Sequence, residues 1–377
     1  GGLTCAGLLA SKGIKVLALE KNPTPGGYLS SFKRGGFRFD SAVDCFSGLG
    51  KKGAIKYVLK SLEVENEISF VRVNPIRESF FPGIAISADK DIKVYIENLK
   101  ALFPLEKKGI DCFFHAMTEL YKDIAGLAET LVYEKKDEFK IPATLLKYTN
   151  NTYQDLLDEY IQKEERLKAA LSDRCPFLGL PPSQASAVNM CALLMSYFES
   201  GAYRVIGGCQ KLADTLVKGI KKKGGDVLFK KEASQILLEN NRAIGVRTSD
   251  GTDYTANIVV SNIDYLKTFC KLLNGNFSKG VKKRLKNPGI SHSFFILYIG
   301  TNLDLAKLSN SSSIGYFPSF DMESFFKPIN FCGDSSPVGI TIPTLLDSTI
   351  APTGCHSIAV HEMVDYSYTS SWKGKKH

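Results

Sequence analysis

The sequence lacks most of the signatures that would assign it a hydrolytic, metal-dependent or nucleotide-hydrolysing chemistry. Its nine cysteines include no C-x-x-C pair. That spacing argues against a zinc site or a disulfide framework and fits a reducing, cytoplasmic location. The five histidines are His115, His292, His356, His361 and His377. None is paired at metal-binding helical spacing, so a structural role is expected for each and no metal is assigned. H-E-x-x-H, G-x-S-x-G and G-x-x-x-x-G-K-(S/T) are all missing. No apolar run approaches the ~20 residues of a membrane-spanning helix, and no signal peptide is visible. Acidic residues are outnumbered, leaving a net charge of +9. Lysines gather at Lys218, Lys221, Lys222 and Lys223, and again at Lys279, Lys282, Lys283, Arg284 and Lys286. The clusters lack interleaved aromatics and no nucleic-acid motif accompanies them, so nucleic acid is not an expected partner. They read either as a solvated surface or, more sharply, as attraction to anionic lipid headgroups.

What is present is a dinucleotide-binding pattern at the amino end. Gly2 fits the last glycine of a G-x-G-x-x-G fingerprint, where a side chain would keep the helix off the sheet, and Gly1 precedes it. Leu3 to Ser11 is rich in small and apolar residues and reads as the helix. Gly13 suits the left-handed residue past a helix end. Ile14 to Leu19 is apolar except at Lys15 and is expected to be a strand buried on both faces. Glu20 follows at the strand's carboxyl end, where a carboxylate can accept hydrogen bonds from ribose hydroxyls. The first strand and first two glycines of the pattern are expected to precede Gly1. With 377 residues, 44% hydrophobic and 23% charged, two domains with sizeable cores are expected.

The segment E-K-N-P-T-P-G-G-Y at Glu20–Tyr28 resembles the one that follows the second strand in two-domain flavoproteins of the amine oxidase and phytoene desaturase superfamily. The resemblance implies FAD as cofactor, Glu20 on the adenosine ribose, and a Gly26-Gly27 turn that lets the backbone approach the flavin. F-x-F-D at Phe37–Asp40 also resembles this family, although its usual D-x-G is Asp40-Ser41-Ala42 here. After Gly207, a glycine turn, an amphipathic helix (Leu212, Leu216, Ile220) and a stop at Gly224 lead into strands at Asp226–Phe229, Ala233–Leu238 and Ala243–Thr248. An Asp250-Gly251 turn and an apolar strand, Tyr254–Val260, follow. This is similar to the family's second conserved block. By that resemblance the backbone of Ala233 contacts the adenine, and Val259-Val260-Ser261-Asn262 is the strand returning to the cofactor domain. The implied cofactor-contacting set is Gly1, Gly2, Glu20, Lys21, Gly26, Gly27, Tyr28, Asp40, Ala233, Ser261 and Asn262.

Between these blocks the chain reads as mostly helical. Ile92, Ile96, Leu99 and Phe103 recur at helical spacing, as do Phe113, Met117, Leu120, Ile124, Leu127 and Leu131. Asn151-Thr152 and Ser183 are candidate caps for two further helices. Phe294–Ile299, Val338–Pro343 and Ser357–Val360 read as strands, and Lys135–Lys140 and Ser309–Ser313 as loops or disorder. Leu178–Ser186, Ser200–Gln210 and Ile342–Gly354 resemble the carotenoid-type members, the first two most nearly the carotenoid isomerase and retinol saturase branch. The implied fold is α/β. A discontinuous Rossmann-like FAD/NAD(P)-binding domain (1–80 and 205–265) carries an α+β substrate domain built from insertions (81–204 and 266–377). A last FAD segment of the family is expected beyond His377, and weak FAD retention by residues 1–377 alone.

In such enzymes the flavin supplies the redox chemistry, and the protein supplies orientation and a dry cavity. That accounts for the lack of an acid–base constellation. No catalytic residue is named, and Asp44, Glu199 and Asp347 are read as solvated. The resemblance implies an oxidoreductase that desaturates, saturates or isomerises a long apolar polyene, peripheral on a membrane that supplies the substrate. Two alternatives stay open. Escort proteins for prenylated GTPases share the fold without chemistry; Glu20, Gly26 and Gly27 argue against that reading. Amine oxidases of the superfamily usually carry Arg after the Gly-Gly, where Tyr28 stands.

Overall fold

A computed structural model describes residues 1–51, 53–133, 141–275, 277–285, 291–327 and 336–366. The stretch 135–140, Lys286 and His377 lie outside the described residues.

The helix Gly2–Ser11 ends at Lys12, and Gly13 follows with φ +78. Its small residues have a packing reason. A Cβ on Gly7 would lie 2.9 Å from Leu62 Cδ1, and Ala6 packs with Val217, Ile220 and Val227. Val217 and Ile220 sit on the helix Gln210–Lys222. The strand that follows is shorter than expected, only Leu17–Leu19. It runs parallel to Asp226–Leu228. Nor is it buried on both faces. Val16 and Ala18 pack against the two helices, whereas Leu17 points the other way and is 41% exposed. Among the described residues the strand is laddered on one edge and covered on one face, which is why it stays short.

A hairpin, Ser31–Arg34 with Phe37–Asp40, comes next. Gly35 and Gly36 at its tip both have positive φ, as a two-residue turn matching strand twist requires. A three-stranded meander is made by Ala233–Glu239, Arg242–Thr248 and Asp253–Thr255. The expected strand Tyr254–Val260 stops at Thr255. Ala256 N–H still donates to Ile244 O at 2.9 Å, but Ile258 and Val260 are 80% and 61% exposed, and residues 257–262 have no strand partner among the described residues. Without a ladder, apolar composition alone makes no strand.

The described residues between 92 and 199 form the helical insertion. Phe103, Phe113, Met117, Leu120, Tyr153, Leu156 and Leu157 are almost fully buried in one core, joined by Phe81 and Phe317 from the neighbouring sheet. Thr152 starts Tyr153–Tyr160 through a reciprocal capping box with Asp155. The next candidate cap is displaced. Ser186, not Ser183, caps Ala187–Glu199; Ser183 instead binds the Glu323 carboxylate through its amide and hydroxyl.

The six-stranded sheet has the order Ser293–Thr301, His356–Val364, Val338–Thr341, Ser313–Tyr316, Arg77–Phe81, Ile84–Ala88. It is antiparallel except where Ser313–Tyr316 meets Arg77–Phe81. Ser311, Ser312 and Ser313 are neither loose nor solvated: all three are buried, and Ser313 opens a strand.

Candidate functional site

The carboxyl end of Leu17–Leu19 is held by backbone. Glu20 N–H donates to Leu228 O at 2.8 Å, and Lys231 N–H donates to Glu20 O at 2.9 Å. Glu20 Oε1 accepts from Asn22 N at 2.8 Å, which orients the carboxylate beside the strand end. Ala233 lies two residues past Lys231 and pairs with Thr248. Lys21 is exposed, and Tyr28 is 85% exposed.

The turn at Gly26-Gly27 requires glycine at Gly26 and favours it at Gly27. Their φ values are +117 and +58, and a Cβ on Gly26 would lie 3.0 Å from Ala213 Cβ. Gln210, at the start of its helix, donates from Nε2 to Pro25 O at 2.9 Å. The turn is therefore tied to that helix, and Gly27 presents bare backbone with nothing within 4 Å of its missing Cβ.

Asn262 stands at the start of the first helix. Its Oδ1 accepts from Gly2 N at 2.7 Å, satisfying one of the helix's open amides. A Cβ on Gly1 would meet Asn262 Nδ2 at 2.8 Å. Ser261 Oγ shares a hydrogen bond with Thr268 Oγ1 at 2.7 Å. Residues 1–2 and 261–262 are thus neighbours although no strand links them.

Asp40 belongs to a buried polar seam. Oδ1 accepts from Ser31 Oγ at 2.6 Å and from Cys209 N at 2.8 Å. Oδ2 meets Arg204 Nη2 at 3.0 Å. Arg204 also pairs with Asp44 Oδ1 at 3.2 Å, and Ser313 Oγ donates to Asp44 Oδ2 at 2.6 Å. Asp347 accepts from Gly207 N at 2.6 Å and from the amide and hydroxyl of Thr349. The sequence reading of Asp44 and Asp347 as solvated is therefore wrong. Asp347 is 5% exposed, and both carboxylates are anchored by donors more than 130 residues away. Arg204 was missed altogether. The available signal was a lone arginine inside the apolar stretch Ala202–Ile206, facing acidic residues in F-x-F-D-x-x-x-D.

The seam holds structure rather than a nucleophile. Burial, and then the Asp44 charge, push the Cys45 thiol up to about 12. Burial and the nearby Asp40 raise Cys209 further. Thiols kept protonated in this way are poor nucleophiles. Burial lowers His361 from its usual 6.5; Arg77 and Arg204 add to this against the opposing pull of Asp44.

Glycine cradles and an oriented carboxylate at the end of a parallel strand define a dinucleotide-binding α/β protein. The family of flavin containing amine oxidoreductases matches residues 1–267; the chain belongs to that family. It is similar to prolycopene isomerase 1, chloroplastic, of an Oncidium hybrid cultivar, with 27% identity over 100% of this chain and 64% of the relative. It is also similar to the neurosporene-forming phytoene desaturase of Rhodobacter capsulatus, with 27% identity over 80% of this chain and 58% of the relative. The chain thus spans less than two thirds of the length of these relatives. Among solved structures, the PF1083 protein from Pyrococcus furiosus superposes with TM-score 0.68 and 17% identity, over 99% of this chain and 80% of that one. That likeness supports the α/β, Rossmann-like fold.

Proposed function

We propose that this chain forms the cofactor and substrate scaffold of an FAD-dependent oxidoreductase acting on a long apolar polyene of carotenoid or retinoid type, by desaturation, saturation or cis–trans isomerisation. The observation that carries the reading is the Glu20 carboxylate, oriented at the end of a parallel strand that leads into the bare Gly26-Gly27 turn. The relatives named for polyene isomerisation and desaturation support the substrate class.

In this reading Glu20 would accept from ribose hydroxyls, and the backbone of Gly1, Gly2 and Asn262 would face the diphosphate. Gly27 would leave room for the flavin and the backbone of Ala233 would contact the adenine, with Lys21, next to Glu20, and Tyr28, next to Gly27, as further contacts. Asp40 acts through Arg204 and Cys209, holding the hairpin that walls the cleft. Residues 1–80 and 205–265 form the cofactor domain, and 81–204 with 266–377 the substrate domain, except that the strand Arg77–Phe81 at the boundary pairs within the substrate-side sheet. The flavin supplies hydride transfer. The protein contributes orientation and the exclusion of water.

The test is the visible spectrum of the purified protein, followed by incubation with polyenes with and without reductant. An oxidised-flavin spectrum that bleaches on reduction is expected. Glu20→Ala is expected to weaken FAD binding roughly 10- to 100-fold, the worth of a charge-assisted hydrogen bond. A folded full-length protein, carrying the sequence expected beyond residues 1–377, that takes up no FAD would sink the reading and favour a lipid escort of the same fold.

A further inference from the structure

A cavity of about 20 Å3 lies between the six-stranded sheet and the segment that follows Phe39. Asp40, Arg204, Tyr298, Thr341 and His361 supply polar groups to its wall; Phe39, Val43 and Pro343 are among the apolar ones. One water needs roughly 10–15 Å3 of such space and two to four polar partners. The cavity therefore has room for one water and none for substrate or cofactor.

His361 Nε2 is buried and bonds no protein atom. The ladder around it offers none: its cross-strand neighbours are Ile296 and Gly339. Polar groups that would satisfy it stand across the cavity, but they are engaged with one another. Asp40 and Arg204 form an ion pair, and the Tyr298 hydroxyl donates to Ser41 O.

We propose that the cavity is a built site for one water, which bonds His361 Nε2 and bridges it to the Asp40–Arg204 pair. The arrangement follows the chemistry of the partners. A water can donate and accept at once, so it meets a neutral imidazole nitrogen on one side and a carboxylate or guanidinium on the other. His361 thereby becomes a positioning residue. It links the sheet's second strand to Asp40, whose other oxygen holds the Cys209 amide and the Ser31 hydroxyl. The site does not depend on the cofactor reading and would be filled in apoprotein as well.

A high-resolution crystal structure of the wild-type chain tests it directly. One density peak within hydrogen-bond distance of His361 Nε2 and of Asp40 or Arg204 is expected. An empty cavity, or an imidazole turned to bond a protein atom, overturns the proposal. Amide exchange provides the second test. In His361→Phe the Cys209 amide should exchange about tenfold faster, the scale of one lost hydrogen bond. In His361→Gln, whose amide can hold the same water, protection should return. Equal exchange in His361→Phe and wild type, or failure of His361→Gln to restore protection, would show that the ring acts by packing alone.

Discussion

Arg204 is the residue whose removal should do most damage. It is 5% exposed and serves two carboxylates, Asp40 and Asp44. Deleting one member of a buried ion network leaves uncompensated charge, a cost of about 3–5 kcal/mol. Arg204→Met is expected to lose that much in denaturant unfolding, with the m-value unchanged. The exposed Arg247–Asp253 pair has shorter contacts, but solvent screens it, and Arg247→Met should cost far less than Arg204→Met. Equal losses would refute the ranking. His361 gives the same neighbourhood a pH dependence. Its folded pKa lies below 6.5, so between the two values the unfolded chain binds the proton and the folded chain resists it. The stability tied to the neutral ring is complete above pH 6.5 and is lost as pH falls toward the folded value. Asp44, Arg77 and Arg204 are the charged groups acting on the ring, and their opposing signs limit the shift. Melting temperature should fall less between pH 7.5 and 5 in His361→Gln than in wild type. Identical slopes would mean that His361 does not titrate in this window.

At the scale of elements, what could be read locally was legible. Helical stripes such as Phe113, Met117 and Leu120 became one core, and Thr152 with Asp155 became a capping box. Gly26 and Gly27 carry their own requirement, because a non-glycine residue at φ +117 or +58 is strained by about 1–3 kcal/mol. What was not legible depends on distant partners. Leu17–Leu19 is short and half exposed because of which edge and face are covered, and Ile258 and Val260 lack a neighbouring strand; their composition says neither. Asp44 looks like any loop acid until Ser313, 269 residues on, donates to it. Asp347 is the same case with Gly207. The cofactor-side glycines were easier to find because backbone geometry leaves a mark on residue type. A buried ion partner leaves almost none.

For the whole molecule, the +9 charge divides unevenly once side chains are placed. Lys222 and Lys223 share Glu63, and Lys218 pairs with Glu67, so two carboxylates meet half of the first cluster's four positive charges. On the helix Lys279–Leu285, Lys282, Lys283 and Arg284 crowd the last turn and have no carboxylate partner among the described residues. No described helix is long and apolar enough to cross a membrane. If substrate is drawn from a bilayer, this helix is where attraction to anionic headgroups should concentrate. Each basic residue near such a surface contributes about 1 kcal/mol. Replacing Lys282, Lys283 and Arg284 by Gln should therefore weaken sedimentation with phosphatidylserine vesicles roughly 100-fold. Replacing Lys222 and Lys223 should weaken it less, because one of their two charges is met by Glu63. Raising salt from 0.01 to 0.1 M shortens the screening length from about 30 to about 10 Å and should release the wild type. Wild-type protein that stays in the supernatant at low salt would refute membrane attraction and leave the excess charge as solvated surface.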